Sequence, residues 1–150
     1  MITVNDLLKS GLGSPVVIAA TDTVHRALRL MVENNTGSLA VTDAGHMVGI
    51  FTEGDFFQNM TRIGSASLNT PIGEIMTKNI ITVRPEQTLE ECLELMTRFH
   101  VLHLPVKDGE KLVGNVSKHD VMERIISARQ DLIERLENYI VGADYGDYGR

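Results

Sequence analysis

The sequence predicts an α+β fold in which one β-α-β-β-α unit is written twice and the two copies pack as a pseudo-symmetric pair. Three observations predict it. The heptapeptide Gly49 to Asp55 (GIFTEGD) returns as Gly114 to Asp120 (GNVSKHD) after a step of 65 residues. Residues 16–60 lie over 81–125 without a gap, matching Leu28 with Leu93, Met31 with Met96, Val41 with Val106 and Asp55 with Asp120. Within each copy, apolar residues recur first at helical steps of three and four and then in two short runs separated by turn residues. Two copies are too few for a solenoid, which needs three or more to bury its faces.

The elements follow in order. Each copy opens with an extended piece, Val16 to Ala19 and Ile80 to Arg84. A helix comes next, with an apolar stripe of Val24, Ala27, Leu28 and Met31 in the first copy and Leu89, Cys92, Leu93 and Met96 in the second. Thr88 with Glu91 has the spacing of a capping box. Ser38 to Thr42 and Met47 to Phe51 then flank Asp-Ala-Gly-His, while His103 to Lys107 and Leu112 to Val116 flank Asp-Gly-Glu-Lys, so both read as β-hairpins. A second helix starts near Asp55 or Asp120. A weaker echo precedes each copy: Val4 to Ser10 resembles Ile72 to Lys78 at an offset of 68, with the three extra residues in Gly11 to Ser14.

These patterns divide the chain into a first motif over 1–61, a Gly/Ser/Thr/Asn-rich connector over 62–71 and a second motif over 72–126. A terminal helix over 127–141, with Leu132, Ile133, Leu136 and Ile140 on one side, leads to a frayed, disordered tail over 142–150.

Composition excludes several classes. At 150 residues and 43% apolar the chain can build a core, and 14 basic against 20 acidic residues give no footprint for nucleic acid or an anionic membrane. One cysteine excludes an internal disulfide framework, and no apolar run approaches the roughly 20 residues of a membrane span. The start, MITVNDLL, has no basic leader, so the expected compartment is the cytoplasm.

Single residues carry further expectations. Met31 and Met96 fall at core spacing. His100 and His103, with Cys92 upstream, could share a metal, but Cys92 lies on the apolar helical stripe and no metal is expected. His25 and His46 read as surface positions. Asn115 interrupts an apolar strand where the first copy has Ile50, so it must find hydrogen-bond partners or face a cleft. Pro105 in mid-strand implies an edge or an open ladder. The Ser/Thr-x-x-Asp of each heptapeptide is by itself a helix-capping signature, worth about 1 kcal/mol and needing no ligand.

The tandem Gly-x-x-Ser/Thr-x-x-Asp pattern resembles a pair of CBS domains. The stretches HLPV (103–106), DGEKLVG (108–114), IGEIMTKN (72–79) and IERLENYI (133–140) are similar to that family too, the last to its small stand-alone members. The resemblance implies an adenine-nucleotide sensor without catalysis, with two clefts between the copies. Carried over by position, one cleft uses His103, Leu104, Pro105, Ser117 and Asp120, with His119 beside them, against Ser14, Pro15, Val16 and Val17. The other uses Ser38, Leu39, Ala40, Thr52 and Asp55 against Thr77, Lys78, Asn79 and Ile81. The chemistry suits the residues, since a carboxylate accepts from both hydroxyls of a ribose and a helix N-terminus favours phosphate.

The chain departs from the family at Gly54, Gln58, Asn59 and Leu102, where basic residues are common. Lys78 is the expected substitute in the Thr52/Asp55 cleft, and Lys118, His103 and His119 in the Ser117/Asp120 cleft. The expectation is therefore binding in the Ser117/Asp120 cleft, of AMP or a dinucleotide such as NAD ahead of ADP or ATP. A homodimer is also expected, because the helices carry more apolar face than two small sheets cover, with output through a separate, unknown protein. The alternative is a dimerisation module whose clefts are degenerate. An enzyme ranks third, because no Ser-His-Asp order, paired catalytic carboxylates or phosphate-cradling glycine loop stands out.

Overall fold

The computed structural model describes residues 1–63 and 68–148. Helix α1 (Val4–Lys9) leads to β1 (Val17–Ala19), α2 (Val24–Asn34), β2 (Ser38–Asp43), β3 (His46–Thr52) and α3 (Glu53–Ile63). A 3-10 turn (Ile72–Glu74) leads to α4 (Leu89–Phe99), β4 (His103–Asp108), β5 (Lys111–Ser117) and α5 (Lys118–Tyr148). The first sheet has the order β1-β2-β3, with β1 parallel and β3 antiparallel to β2, and the second is the antiparallel hairpin β4-β5. Both hairpins carry a bulge at the same relative place, Val41/Thr42 and Val106/Lys107.

Helices α2 and α4 start and stop alike. The hydroxyls of Thr23 and Thr88 accept from the N–H groups of Arg26 and Glu91, each three residues on. Asn35 and His100 end the helices in the left-handed conformation, with φ 49° and 54°. The repeat thus extends to backbone geometry at positions that share no side chain.

The second copy has no full counterpart of β1. In the first, Ala40 N–H donates to the Val16 carbonyl and Ala20 N–H to the Thr42 carbonyl, each at 2.9 Å. The equivalent positions are Pro105 and Pro85, which have no N–H to give. Only a parallel bridge remains at Val83 and Val106, where Val83 N–H reaches the Pro105 carbonyl at 3.0 Å and Lys107 N–H reaches the Val83 carbonyl at 2.9 Å.

The two cores exchange their lead-in segments. Val4 and Leu7 of α1 are fully buried among Leu89, Cys92, Met96, Leu104 and Val116 of the second copy. Ile72 and Ile75 are buried among Ile18, Val24, Leu39 and Phe51 of the first. Backbone bonds follow the same exchange: Val4 N–H donates to the Gln87 carbonyl at 2.8 Å, and Ile72 N–H to the Asp22 carbonyl at 2.7 Å. Each lead-in then crosses the hairpin it packs on. Thr77 exchanges two 2.9 Å backbone bonds with Ile50, and the Gly13 carbonyl accepts from Asn115 N–H at 2.8 Å. The glycine that opens each repeated heptapeptide lies at the crossing. A Cβ on Gly49 would stand 2.9 Å from the Thr77 carbonyl oxygen, and one on Gly114 would stand 2.6 Å from Leu8 Cδ2.

Two boundaries differ from the sequence expectation. A separate terminal helix starting at residue 127 is not what the chain forms, because α5 runs unbroken from Lys118 to Tyr148. No glycine or proline stands between Lys118 and Val141 to interrupt it. The frayed tail expected over 142–150 is instead the last turns of this helix as far as Tyr148, and residues 149–150 lie outside the described residues. The connector expected over 62–71 falls partly on residues 64–67, also outside them.

Candidate functional site

Two cavities open between the copies, each assembled from several pieces of chain. One, of about 490 Å³, is lined by Ser117, His119 and Asp120 at the junction of β5 and α5, by the lead-in Gly11–Ser14 with Val16, and by residues 34–37 at the end of α2 and just after it. The other, of about 330 Å³, is lined by Thr52 and Asp55 at the start of α3, by Thr77 with residues 79–81, and by residues 100–103 with Pro105. Both volumes suit a small organic ligand. Gly37, Glu53 and His103 line both cavities, so the two share a wall.

The two aspartates of the repeat are held differently. Asp55 is engaged from three sides: its carboxylate accepts from Thr52 N–H at 3.0 Å, from the Thr52 hydroxyl at 3.2 Å and from the Thr77 hydroxyl at 2.7 Å. Its own N–H donates to Thr52 Oγ1 at 3.2 Å, completing a capping box. Asp120 keeps only the last of these, its N–H donating to Ser117 Oγ at 3.1 Å. Among the described residues no hydrogen bond reaches the Asp120 carboxylate, which faces the larger cavity with its acceptor capacity unused.

Polar groups also meet between the cavities. Asn115 Nδ2 donates to the buried Ser38 hydroxyl at 3.1 Å, while Asn115 Oδ1 is buried without a partner among the described residues. Both readings of Asn115 therefore hold, since it is hydrogen-bonded across the copies and also lines the larger cavity. Burial pushes the His103 imidazole below its ordinary value of 6.5, against the pull of Glu53 and Asp120, and so favours the neutral ring. Pro105 leaves the Ile81 carbonyl without the strand partner that the Val16 carbonyl has, and both Pro105 and Ile81 line the smaller cavity.

The structure distributes the expected site residues in a particular way. It brings Ser14, Val16, His103, Ser117, His119 and Asp120 together in the larger cavity, and Thr52, Asp55, Thr77, Asn79 and Ile81 in the smaller. Pro105 lies with Thr52 and Asp55 rather than with Ser117 and Asp120. The reason is the pseudo-twofold: each copy turns the chain after its first helix toward the other copy's heptapeptide. Ser38, Leu39, Ala40 and Leu104 line neither cavity, because they are buried in the interior of the strand pairs. Pro15, Val17 and Lys78 line neither as well, and neither does Lys118, so the expected lysine substitutes do not reach the cavity walls. Sequence reasoning missed Glu53, Gly37 and the loop Gly11–Gly13. The signals were present, as Glu53 directly follows Thr52 and the three-residue insertion marks the loop.

Cys92 is in the core, its thiol pushed up to about 11 by burial and two neighbouring glutamates, which disfavours the thiolate. His119, Asp120 and Glu123 bring three groups able to hold an ion within 4.8 Å of one another. His119 Nε2 and Glu123 Oε2, 3.3 Å apart and exposed, also form an ordinary i,i+4 pair. Among the described residues, no helix is long and apolar enough to cross a membrane.

Comparison with known proteins gives a consistent picture. The model of the CBS domain family matches residues 4–62 and again 72–127. The chain is 33% identical over 149 residues to the CBS domain-containing protein CBSX3, mitochondrial, of Arabidopsis thaliana, covering 93% of this chain and 72% of the relative. A crystal structure of a CBS-domain containing protein from Agrobacterium tumefaciens superposes with a TM-score of 0.78 at 31% identity, covering 81% of this chain and 98% of that one. A crystal structure of CBSX2 in complex with AMP superposes with a TM-score of 0.68 at 25% identity, covering 86% and 99%.

Proposed function

Because this chain belongs to the CBS-domain family and carries two such domains in tandem, we propose that it is a regulatory module that binds an adenine nucleotide between its copies and catalyses nothing itself. The observation that carries this reading is the Asp120 carboxylate, unengaged at the wall of a cavity of about 490 Å³ opposite Ser14 and Val16. A ribose placed there would give its two hydroxyls to that carboxylate, with Ser117 and the first turn of α5 toward the 5′ side. In the smaller cavity the Asp55 carboxylate is already occupied by Thr52 and Thr77, so a ribose would have to displace a bond. The CBSX2 complex makes AMP the first ligand to try.

Regulation requires that the ligand distinguish two arrangements of the protein. We place the responsive contact in a homodimer. Val32 on α2 is 82% exposed, and Ile126, Ile133 and Ile140 stand at seven-residue intervals on the outer face of α5, all exposed. Output then passes to a separate protein.

The test is calorimetry and thermal shift with AMP, ADP, ATP, NAD and S-adenosylmethionine on the intact chain, Asp55→Ala and Asp120→Ala. Ligand at a hundredfold excess over its Kd should stabilise by about 2.7 kcal/mol. Asp120→Ala should remove most of the shift and Asp55→Ala should keep most of it. The competing reading, a dimerisation module with degenerate clefts, draws on the lack of any lysine or arginine lining either cavity among the described residues. It prevails if no ligand shifts melting at millimolar concentration.

A further inference from the structure

Resting on the adenine reading above, the shared wall of the cavities says which adenine ligands they accept. Glu53 is the first residue of α3, and its counterpart one repeat later is Lys118. Lys118 lines neither cavity, whereas Glu53 lines both. The Glu53 carboxylate is turned inward over Gly37: a Cβ there would lie 3.0 Å from Glu53 Oε1 and 3.3 Å from His103 Nε2. A helix N-terminus ordinarily attracts phosphate through its N–H groups and partial positive charge. At α3 that attraction is already spent, since Glu53 N–H donates to the Gly37 carbonyl at 3.1 Å and the first turn holds two carboxylates, Glu53 and Asp55. No lysine or arginine among the described residues lines either cavity, and burial favours the uncharged form of His103, the side chain beside Glu53.

We propose that Glu53 sets the charge of the ligand for both cavities, admitting adenosine compounds with one phosphate or none and discriminating against di- and triphosphates. Each added phosphate brings further negative charge near a carboxylate that no cation in the walls offsets. Because Glu53 is exposed, solvent screens the effect to a modest factor per charge rather than an absolute block. The same side chain also tells each cavity about the charge in the other, which two independent sites would not do.

The experiment is calorimetric titration with adenosine, AMP, ADP and ATP, in EDTA, of the intact chain, Glu53→Gln, Glu53→Lys and the control Glu33→Gln. Glu33 pairs with Arg29 on the surface of α2, so its variant removes one charge from the protein at a position lining neither cavity. For the intact chain, affinity should fall from AMP to ADP to ATP. Glu53→Gln should raise ATP affinity about tenfold and AMP affinity about threefold while leaving adenosine unchanged, with Glu53→Lys going further. Glu33→Gln should stay within about twofold throughout. ATP binding the intact chain as tightly as AMP, or Glu53→Gln shifting adenosine and ATP equally, overturns the role of Glu53 and leaves the adenine site standing. Failure of all four ligands to bind any variant overturns the adenine reading and this inference with it.

Discussion

Asn115 and Ser38 are 77 positions apart in the chain and joined by a 3.1 Å hydrogen bond that links β5 of one copy to the start of β2 in the other. Ser38 is fully buried, and Asn115 Oδ1 has no partner among the described residues. Ser38→Ala leaves the Asn115 amide unpaired and should cost about 1–2 kcal/mol. Asn115→Ile, which installs the residue of the first copy, orphans the Ser38 hydroxyl but also removes the unpaired Oδ1, so its own cost should be smaller. The double variant should fall short of the sum by about 1 kcal/mol in urea denaturation, and strict additivity would show that the bond contributes nothing.

The unequal aspartates predict unequal variants. Asp55→Ala removes a carboxylate that accepts from Thr52 and Thr77, and should lower stability by about 1–2 kcal/mol. Asp120→Ala loses only the interaction of a negative charge with the start of α5, about 0.3–1 kcal/mol. Denaturant midpoints measured without ligand would separate them, and equal losses would contradict the asymmetry.

Leu7 is remote in sequence from the second copy yet fully buried in its core. Leu7→Ala should cost about 2–5 kcal/mol, as for any buried leucine. The loss should be felt in the second copy, so hydrogen exchange of α4 and the β4-β5 hairpin should accelerate more than that of β2 and β3. Faster exchange confined to the first copy would mean that α1 docks on its own half.

His103 makes stability depend on pH. Its folded pKa lies below the ordinary 6.5, mainly through burial. As pH falls through 6.5 the unfolded chain takes up the proton before the folded one, so the folded state loses stability from there down toward the depressed folded value. Above that window the contribution is constant. The urea midpoint should therefore drop between pH 7 and pH 5, and the drop should be smaller in His103→Gln. An identical drop would place the pH sensitivity elsewhere.

Much of this architecture could be read from the residues. The gapless alignment of 16–60 over 81–125, at a step of 65 residues, carried the strands, both hairpins and the helix starts, because capping hydroxyls and alternating apolar positions act locally. The exchange of lead-ins could not be read, since the resemblance of Val4–Ser10 to Ile72–Lys78 shows that the segments are alike but not which core each one enters. The loss of the second first-strand was present in Pro85 and Pro105, but a missing N–H matters only once the carbonyl it would have met is known. For the cavities, the heptapeptides pointed to Ser117 and Asp120. Glu53 and Gly37 came into view only when the shared wall did, because a pseudo-twofold joins residues by symmetry rather than by proximity in the chain.

The continuity of α5 has a mechanical consequence. Its 31 residues amount to a rod about 45 Å long at 1.5 Å per residue. Asp120 sits in its first turn at the cavity, while Ile133, Tyr139 and Ile140 are displayed more than 10 residues further out. With no break between them, a tilt of about 5° at the cavity becomes a displacement of about 2–3 Å at Ile140, in proportion to the roughly 30 Å of helix between them. The reach of the module is thus set by helix length, and inserting a proline or a glycine pair near Ser127 would uncouple the far end from the cavity without touching either.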